Sequence, residues 1–164
     1  MVAKPDESLE SMAGEIFELY RLIALARSRR PSEPEVLSEP EFLTLDELIR
    51  HAPQTIGDIQ KKIGVAPAQM SRIVRTLGRQ GGDPLIECRI NPNDRRRIDM
   101  TITNEGKEAY GLYRANRLGS MHAILGVLAA NDRTHFMRIL RLIRDAFSDL
   151  VTAESSDSDT SSKR

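Results

Sequence analysis

The chain has 164 residues and a mass of 18.4 kDa, which is enough for one domain of ordinary size. Its longest apolar run spans only residues 123–130, whereas a membrane span needs roughly 18 or more. Acidic side chains precede Arg29 and Arg30 near the N-terminus, the reverse of a secretory signal peptide. A single cysteine, Cys88, excludes a disulfide framework and a multi-cysteine zinc site. We expect a soluble cytoplasmic protein without a metal or cofactor.

The 24 basic and 24 acidic side chains cancel, but they are unevenly distributed. Residues 31–49 hold six acids and no base, whereas residues 54–101 hold nine bases against five acids. Exposed charges act mainly within a Debye length of about 8–10 Å. The second stretch can therefore attract a polyanion although the whole chain is neutral.

The N-terminal segment, residues 8–30, is predicted to be a helix with a broad apolar face. Its apolar side chains recur at alternating steps of three and four: Leu9, Met12, Ile16, Leu19, Ile23 and Ala26. A single helix cannot bury such a face alone, so it packs on its own domain or on another subunit. The pattern leaves both open, and the prolines of residues 31–40 predict a connection after it.

Three further helices are indicated by their end signals. Ser38 and Glu41 fit a capping box that begins a helix at about 39–51. Thr55 begins the next helix and Gly64 ends it, and Pro67 then opens a helix that extends to about residue 80. The short break at Gly64 predicts a helix-turn-helix.

Two alternating segments, residues 85–90 and 97–102, predict a β-hairpin around the polar turn of residues 91–96. Cys88 alternates with Ile86 and Ile90, so we expect its side chain to face the core. Thr103 then caps a long helix to about Ala130, and Asn131 or Asp132 caps a last helix. Residues 153–164 have low complexity and are predicted to be disordered.

The outward side of the helix after Pro67 carries side chains suited to DNA: Ala68, Gln69, Ser71, Arg72, Arg75 and Arg79. A helix fits the major groove, where glutamine can pair with adenine and arginine with guanine, and serine can bind a base or a phosphate. This helix alone is equally compatible with an ordinary solvated face.

The hairpin favours the DNA interpretation. Arg95, Arg96 and Arg97 lie at its tip and Arg89 on the opposite strand, and adjacent arginines repel one another unless an anion compensates. Such a tip suits the narrow and strongly negative minor groove. A basic wing that follows a basic second helix is much less expected by chance than either feature alone.

These segments resemble the MarR family of winged helix-turn-helix regulators. Residues 94–106 (Asp-Arg-Arg-Arg-Ile-Asp-Met-Thr-Ile-Thr-Asn-Glu-Gly) look like the family's Asp-x-Arg wing signature. The segments 55–59 and 71–77 match the two helices of its recognition unit, and the likeness covers about residues 45–106. The fold class implied is mainly α (α+β), a winged helix-turn-helix with N- and C-terminal dimerisation helices.

The resemblance implies a homodimer that binds an inverted-repeat operator on double-stranded DNA, with half-sites about one helical turn apart. The corresponding regions are an N-terminal dimerisation helix and linker (1–36), the winged domain (37–103), C-terminal dimerisation helices (104–152) and a tail (153–164). By analogy, Arg96 enters the minor groove and Asp94 orients it. The expected DNA-binding residues are Lys61, Lys62, Gln69, Ser71, Arg72, Arg75, Arg89, Asp94, Arg95, Arg96 and Arg97, with phosphate contacts from Lys61, Lys62, Arg75 and Arg89.

The function predicted is a sequence-specific transcriptional repressor, released from DNA by a small phenolic or carboxylate effector. Two alternatives remain: a winged helix that binds another protein, and a redox-sensing regulator that acts through Cys88. We expect no enzyme, because no phosphate-binding loop, nucleophile elbow or paired-carboxylate pattern is present. The three histidines, His51, His122 and His135, are scattered and lack the spacing of metal ligands.

Overall fold

A computed structural model describes residues 7–28, 37–79 and 82–161. The chain divides into two compact units, residues 1–35 and residues 36–164. The elements in chain order are α1 (Glu7–Ser28), α2 (Glu39–His51), β1 (Gln54–Thr55), α3 (Ile56–Ile63), α4 (Pro67–Arg79), β2 (Ile86–Ile90), β3 (Ile98–Ile102), α5 (Asn104–Leu125) and α6 (Ala130–Ser161).

The first unit is represented by α1, which confirms the predicted N-terminal helix over the residues described. Its apolar side chains remain exposed in the single chain, with Leu9 at 62%, Met12 at 55% and Ile16 at 59%. Residues 29 and 30 of the predicted helix, and the connection up to residue 36, lie outside the described residues.

The second unit begins with α2, whose bounds agree with the prediction. The carboxylate of Glu41 accepts the backbone N–H of Ser38 at 2.7 Å and its hydroxyl at 2.8 Å. An acidic group in the first turn also interacts favourably with the helix dipole. The opposite side of α2 is buried at Thr44, Leu45 and Leu48.

The turn between α3 and α4 is made by Gly64, at φ 66° and ψ 32°, in the left-handed region that favours glycine. The N–H groups of Gly64 and Val65 bind the carbonyls of Lys61 and Gln60, both at 3.3 Å. This arrangement satisfies carbonyls at the end of α3 and redirects the chain so that α4 begins at Pro67.

The strands form one antiparallel sheet in the order β1-β3-β2, with Cys88 opposite Met100 and Ile90 opposite Ile98. The hairpin was predicted, with each strand one residue longer than observed. The two-residue strand β1 was not, because so short a segment has no periodicity. It pairs with β3 and joins the start of α3 to the hairpin.

The core lies between the helices of the helix-turn-helix and the sheet. Leu45, Ile59, Leu77 and Met100 are each fully buried. The remaining buried apolar residues are Leu37, Leu48, Met70, Ile73, Leu85, Ile86 and Tyr113. The core is therefore mainly aliphatic, with one tyrosine from α5 at its margin.

The prediction that Cys88 faces the core is wrong, because Cys88 is exposed. Its partner across the ladder, Met100, is fully buried. The alternation identified the face correctly, but β2 is the edge strand and extends beyond the core, so only its first residue, Ile86, is buried. Ile90, at the far end, is 67% exposed.

The C-terminal helices differ from the prediction at their ends. α5 ends at Leu125, before the predicted Ala130, where Gly126 weakens the helix. α6 begins at Ala130 and places Asp132 in its first turn. Arg133 donates to the carbonyls of Leu128 at 2.8 Å and Gly126 at 3.1 Å, which satisfies acceptors between the two helices.

The structure continues α6 to Ser161, through residues for which the sequence predicts disorder. Extending an existing helix costs much less than nucleating one, so polar residues can follow a helix that is already formed. Along α6 the apolar side chains remain partly exposed, including Phe136 at 40% and Phe147 at 62%. No helix in the described ranges combines the length and apolar character needed to cross a membrane.

Candidate nucleic-acid interface

The outward face of α4 is polar and exposed along its whole described length. Met70, Ile73 and Leu77 are at most 5% exposed on the inner side, whereas Gln69, Ser71, Arg72 and Arg75 face solvent. The side chain of Arg79 lies outside the described residues. At about 1.5 Å per residue, the 13 residues of α4 extend roughly 20 Å, a length that fits the major groove.

The predicted DNA-contacting side chains of α4 differ in their local bonds. The hydroxyl of Ser71 donates to the carbonyl of Pro67 at 3.0 Å, so its lone pairs remain open to an external donor. Over the described ranges, the guanidinium groups of Arg72 and Arg75 form no ion pair. Both groups are therefore available to an anion.

The wing turn is organised by side-chain bonds to the backbone. The Oδ1 atom of Asn91 accepts the N–H groups of Asn93 at 2.8 Å and Asp94 at 3.0 Å. The Oδ1 atom of Asp94 in turn accepts the N–H of Arg96 at 3.0 Å. Asx turns of this kind fix the course of a short loop. The sequence indicated a polar turn here but not which side chains hold it.

The four arginines of the hairpin have different surroundings. Arg95 and Arg96 are exposed, and neither forms an ion pair with any other described residue. Arg89 pairs with Glu87 at 2.7 Å on its own strand, and Arg97 pairs with Asp58 of α3 at 3.1 Å. The side chains without an internal partner are thus concentrated at the tip.

The two lysines at the end of α3 are both exposed. Lys62 pairs with Glu47 of α2 at 2.9 Å. Gln54 donates to the same carboxylate at 3.2 Å and to the Glu47 carbonyl at 3.1 Å. Partial burial raises the pKa of Glu47, but the hydrogen bonds from Lys62 and Gln54 outweigh it and leave the pKa below its ordinary value. Lys62 therefore joins α3 to α2 in addition to facing solvent.

Sequence reasoning missed an aromatic contact between α2 and α5. Phe42 stacks on Tyr110, with ring centroids 5.1 Å apart, and on Tyr113, with centroids 4.5 Å apart. The guanidinium of Arg117 lies 4.7 Å from the centroid of the Tyr113 ring. No local pattern signals this contact, because its partners lie far apart along the chain. In the part of the chain that the structure describes, no cluster of three metal-binding side chains occurs.

Residues 37–98 match the model of the MarR family. The chain carries a MarR-family domain. This match confirms the resemblance to the MarR family that the wing signature and the two recognition-unit helices predicted. The MarR-family domain contains α2, α3, α4 and β2 and reaches the first residue of β3, so it includes every expected DNA-binding residue.

Comparisons with individual proteins agree with this family assignment. An uncharacterised HTH-type transcriptional regulator of Bacillus subtilis (strain 168), YwhA, is 26% identical over 107 residues, which cover 65% of this chain and 75% of YwhA. The structure of the PcaV transcriptional regulator from Streptomyces coelicolor with its natural ligand has a TM-score of 0.56 and 23% identity, covering 88% of this chain and 99% of PcaV. Streptococcus pneumoniae FabT in complex with DNA has a TM-score of 0.66 and 17% identity, covering 87% of this chain and 99% of FabT.

Over the residues that they cover, the two solved structures share the fold of this chain. The predicted fold class, a mainly helical chain with a small antiparallel sheet in a winged helix-turn-helix, is confirmed. The contacts of the individual DNA-binding residues stay predictions.

Proposed function

We propose that the protein is a homodimeric, sequence-specific DNA-binding repressor whose two winged lobes bind an inverted-repeat operator. The observation that carries the proposal is the set of arginines without an internal ion pair. Arg72 and Arg75 lie on the exposed face of α4, and Arg95 and Arg96 lie at the wing tip. A surface cation without an ion-pair partner can bind an external anion without first breaking another ion pair. The DNA backbone offers closely spaced negative charges.

In this proposal α4 lies in the major groove. Arg72 reads guanine and Gln69 reads adenine through bidentate hydrogen bonds. Ser71 accepts a hydrogen bond from a base, or donates one to a phosphate after its hydroxyl leaves the Pro67 carbonyl. Arg75, one turn further along the same stripe, contacts the phosphate backbone with Lys61 and Lys62. The bond between Lys62 and Glu47 is exposed, so a phosphate can compete for this ammonium group.

The wing tip enters the adjacent minor groove. Arg96 inserts into the narrow channel, where the negative potential is enhanced, and Arg95 contacts the backbone beside it. The bond between Asp94 and the N–H of Arg96 supports the expected orienting role of Asp94, because it fixes the direction in which residue 96 leaves the turn. Arg89 supplies a further phosphate contact from β2.

The homodimer is supported by apolar side chains that the single chain leaves uncovered. On α1, Ile16 is 59% and Phe17 67% exposed, and on α6, Leu142 is 60% and Phe147 62% exposed. A helix on which several large apolar side chains are exposed is a candidate interaction site. A second copy that covers both helices accounts for it, so residues 1–36 and 104–152 form the dimerisation region.

Release by an effector is the second part of the proposal. PcaV, which shares this fold, was solved with its natural ligand, and FabT was solved with DNA. The fold is thus compatible with both kinds of partner. We propose a small phenolic or carboxylate effector that lowers the affinity of the dimer for its operator.

The test is selection of bound fragments from random duplex DNA by the purified protein, together with its mass in solution. The expected result is a dimer and an enriched palindrome whose half-sites lie about one helical turn apart, about 10 base pairs. Binding should weaken steeply with salt, since each neutralised phosphate contributes about −0.9 to the slope of log K against log salt. A stable monomer without retention on any duplex would instead indicate a winged helix that binds protein.

A further inference from the structure

An ion pair joins the base of the wing to α3, in addition to the pairing of β1 with β3. The Nη2 atom of Arg97 lies 3.1 Å from Oδ2 of Asp58, and the two residues are 39 positions apart in the chain. Both side chains are about half exposed, at 52% for Arg97 and 50% for Asp58. Of the three consecutive arginines at the hairpin, only Arg97 has such a partner among the described residues.

Asp58 is held in place by its own helix. It occupies the first turn of α3, where its backbone N–H donates to Oγ1 of Thr55 at 3.2 Å. Its Oδ2 atom accepts the hydroxyl of Thr55 at 2.5 Å. A carboxylate in the first turn is also stabilised by the helix dipole. The carboxylate therefore offers Arg97 a fixed partner.

Arg97 is also tied to the wing through its backbone. Its N–H donates to the carbonyl of Asp94 at 2.9 Å, and its carbonyl accepts the N–H of Asn91, also at 2.9 Å. The next residue, Ile98, begins β3, the central strand of the sheet. Arg97 thus closes the wing turn with its backbone while its side chain reaches the helix that precedes α4.

We propose that Asp58 and Arg97 are a positioning pair that sets the direction of the wing relative to the helix-turn-helix. Arg97 serves as an anchor and not as a DNA contact, and the contacts of the wing are made by Arg95 and Arg96. This inference depends on the proposed DNA-binding function and refines the expectation that all three arginines contact DNA. Asp58, which no sequence pattern marked for a role in DNA binding, becomes a determinant of specificity.

The proposal predicts a loss of discrimination between base pairs, which simple electrostatics does not predict. Neutralising an acidic side chain beside a DNA-binding surface removes repulsion from the phosphates and strengthens binding to every duplex. Loss of a positioning group instead lets the wing adopt several orientations relative to the helix-turn-helix. Asp58→Asn should then discriminate less well between base pairs under the wing, although its binding to random DNA is unchanged or tighter.

The first experiment needs no DNA. Amide hydrogen exchange at Asn91 and Arg97 reports opening of the wing turn in the free full-length protein. We expect Asp58→Asn to accelerate exchange of these amides about two- to fivefold, the size appropriate to one exposed ion pair. Asp58→Glu keeps the carboxylate and should restore the slow exchange. Unchanged exchange in Asp58→Asn overturns the proposal.

Glu87→Gln is the matched control. It removes one negative charge from the hairpin and breaks an exposed ion pair with Arg89, but that pair lies within β2 and does not reach α3. Its exchange at Asn91 and Arg97 should equal that of the wild type. Faster exchange in both variants would show a general effect of charge and would contradict a specific anchor.

The second experiment measures the ratio of affinities for the operator and for an operator with G·C in place of A·T under the wing. We expect this ratio to fall about two- to fivefold in Asp58→Asn and in Arg97→Gln, without a further decrease in the double variant. Additive losses would show that Arg97 contacts DNA directly and would overturn the anchor. If the wild type binds no duplex, the proposed function fails, whereas the exchange experiment still decides whether the pair holds the wing.

Discussion

The hydroxyl of Tyr110 in α5 donates a hydrogen bond to Oδ1 of Asp46 in α2, at 2.7 Å and across 64 residues of sequence. Arg50 binds the other carboxylate oxygen at 2.8 Å. The Tyr110 ring meanwhile stacks on Phe42 with an interplanar angle of 3°. Polar and aromatic contacts therefore fasten the start of α5, the helix that follows the wing, to α2 of the winged lobe.

Tyr110→Phe should lower the free energy of unfolding by about 1 kcal/mol, since it removes this hydrogen bond and leaves the stack in place. Urea unfolding at a fixed protein concentration measures the difference. An unchanged free energy of unfolding in Tyr110→Phe would show that the bond to Asp46 contributes nothing measurable.

Stability should decrease in acid because of Asp46 and Glu47. Burial raises the pKa of each carboxyl, but hydrogen bonds from Arg50 and Tyr110 to Asp46, and from Lys62 and Gln54 to Glu47, leave both pKa values below the ordinary 3.8 and 4.5. At pH values near these pKa values the unfolded chain then binds more protons than the folded one, so unfolding becomes easier as the pH falls.

The stabilisation should be complete above the ordinary pKa values and disappear as the pH falls through the lower values of the folded state. Thermal melts between about pH 6 and pH 3 test this for the wild type and for Asp46→Asn/Glu47→Gln. The double variant should show a shallower decrease. The same decrease in both proteins would assign the acid sensitivity to other groups.

Gly106→Ala should destabilise the protein by about 1–3 kcal/mol or more, the cost of overpacking. A Cβ atom at this position would lie 2.1 Å from the carbonyl oxygen of Leu85 and 2.8 Å from Cγ1 of Ile102, so the backbone would have to move. Gly111→Ala on the same helix is the opposite case, since no atom lies within 4 Å of its Cβ. It should stabilise α5 by about 0.5–1 kcal/mol. Equal melting temperatures for the two variants would contradict the packing argument.

Arg96→Ala should weaken operator binding by about 1–3 kcal/mol, because Arg96 is the wing side chain assigned to the minor groove. Fluorescence anisotropy with a labelled operator measures the change. Arg50→Ala is the charge-matched control, since Arg50 lies on α2, pairs with Asp46 at 2.8 Å and is not among the expected DNA-binding residues. An affinity for Arg96→Ala as high as that of the control would remove the wing tip from the mechanism.

Cys88 should react slowly with a thiol reagent in the native protein. The residue is exposed, but neighbouring atoms cover part of the thiol, and this partial loss of solvent raises its pKa above the ordinary value. Little thiolate is therefore present at neutral pH. Peroxide should leave operator binding unchanged in the wild type and in Cys88→Ser alike. Loss of binding in the wild type alone would favour the redox-sensing alternative.

Local signals predicted most of the secondary structure because each acts over one or two turns. The Ser38 and Glu41 box begins α2, Gly64 turns the chain between α3 and α4, and Thr103 caps α5 by accepting the N–H of Gly106 at 3.0 Å. In each case the bonding partners lie within five residues of each other in the chain, so their contact follows from local backbone geometry. The wing arginines were likewise visible as a charged turn between alternating strands.

The sequence by itself determined the order of the helices and of the two hairpin strands, and the resemblance to the MarR family, since periodicity, capping residues and a contiguous signature are all local properties. Only the tertiary structure decided that β2 is an edge strand with Cys88 exposed, that Tyr110 reaches Asp46 and that Arg97 binds Asp58. These contacts join residues far apart in the chain. These contacts form only after the core has brought the residues together, so no short segment of the sequence predicts them.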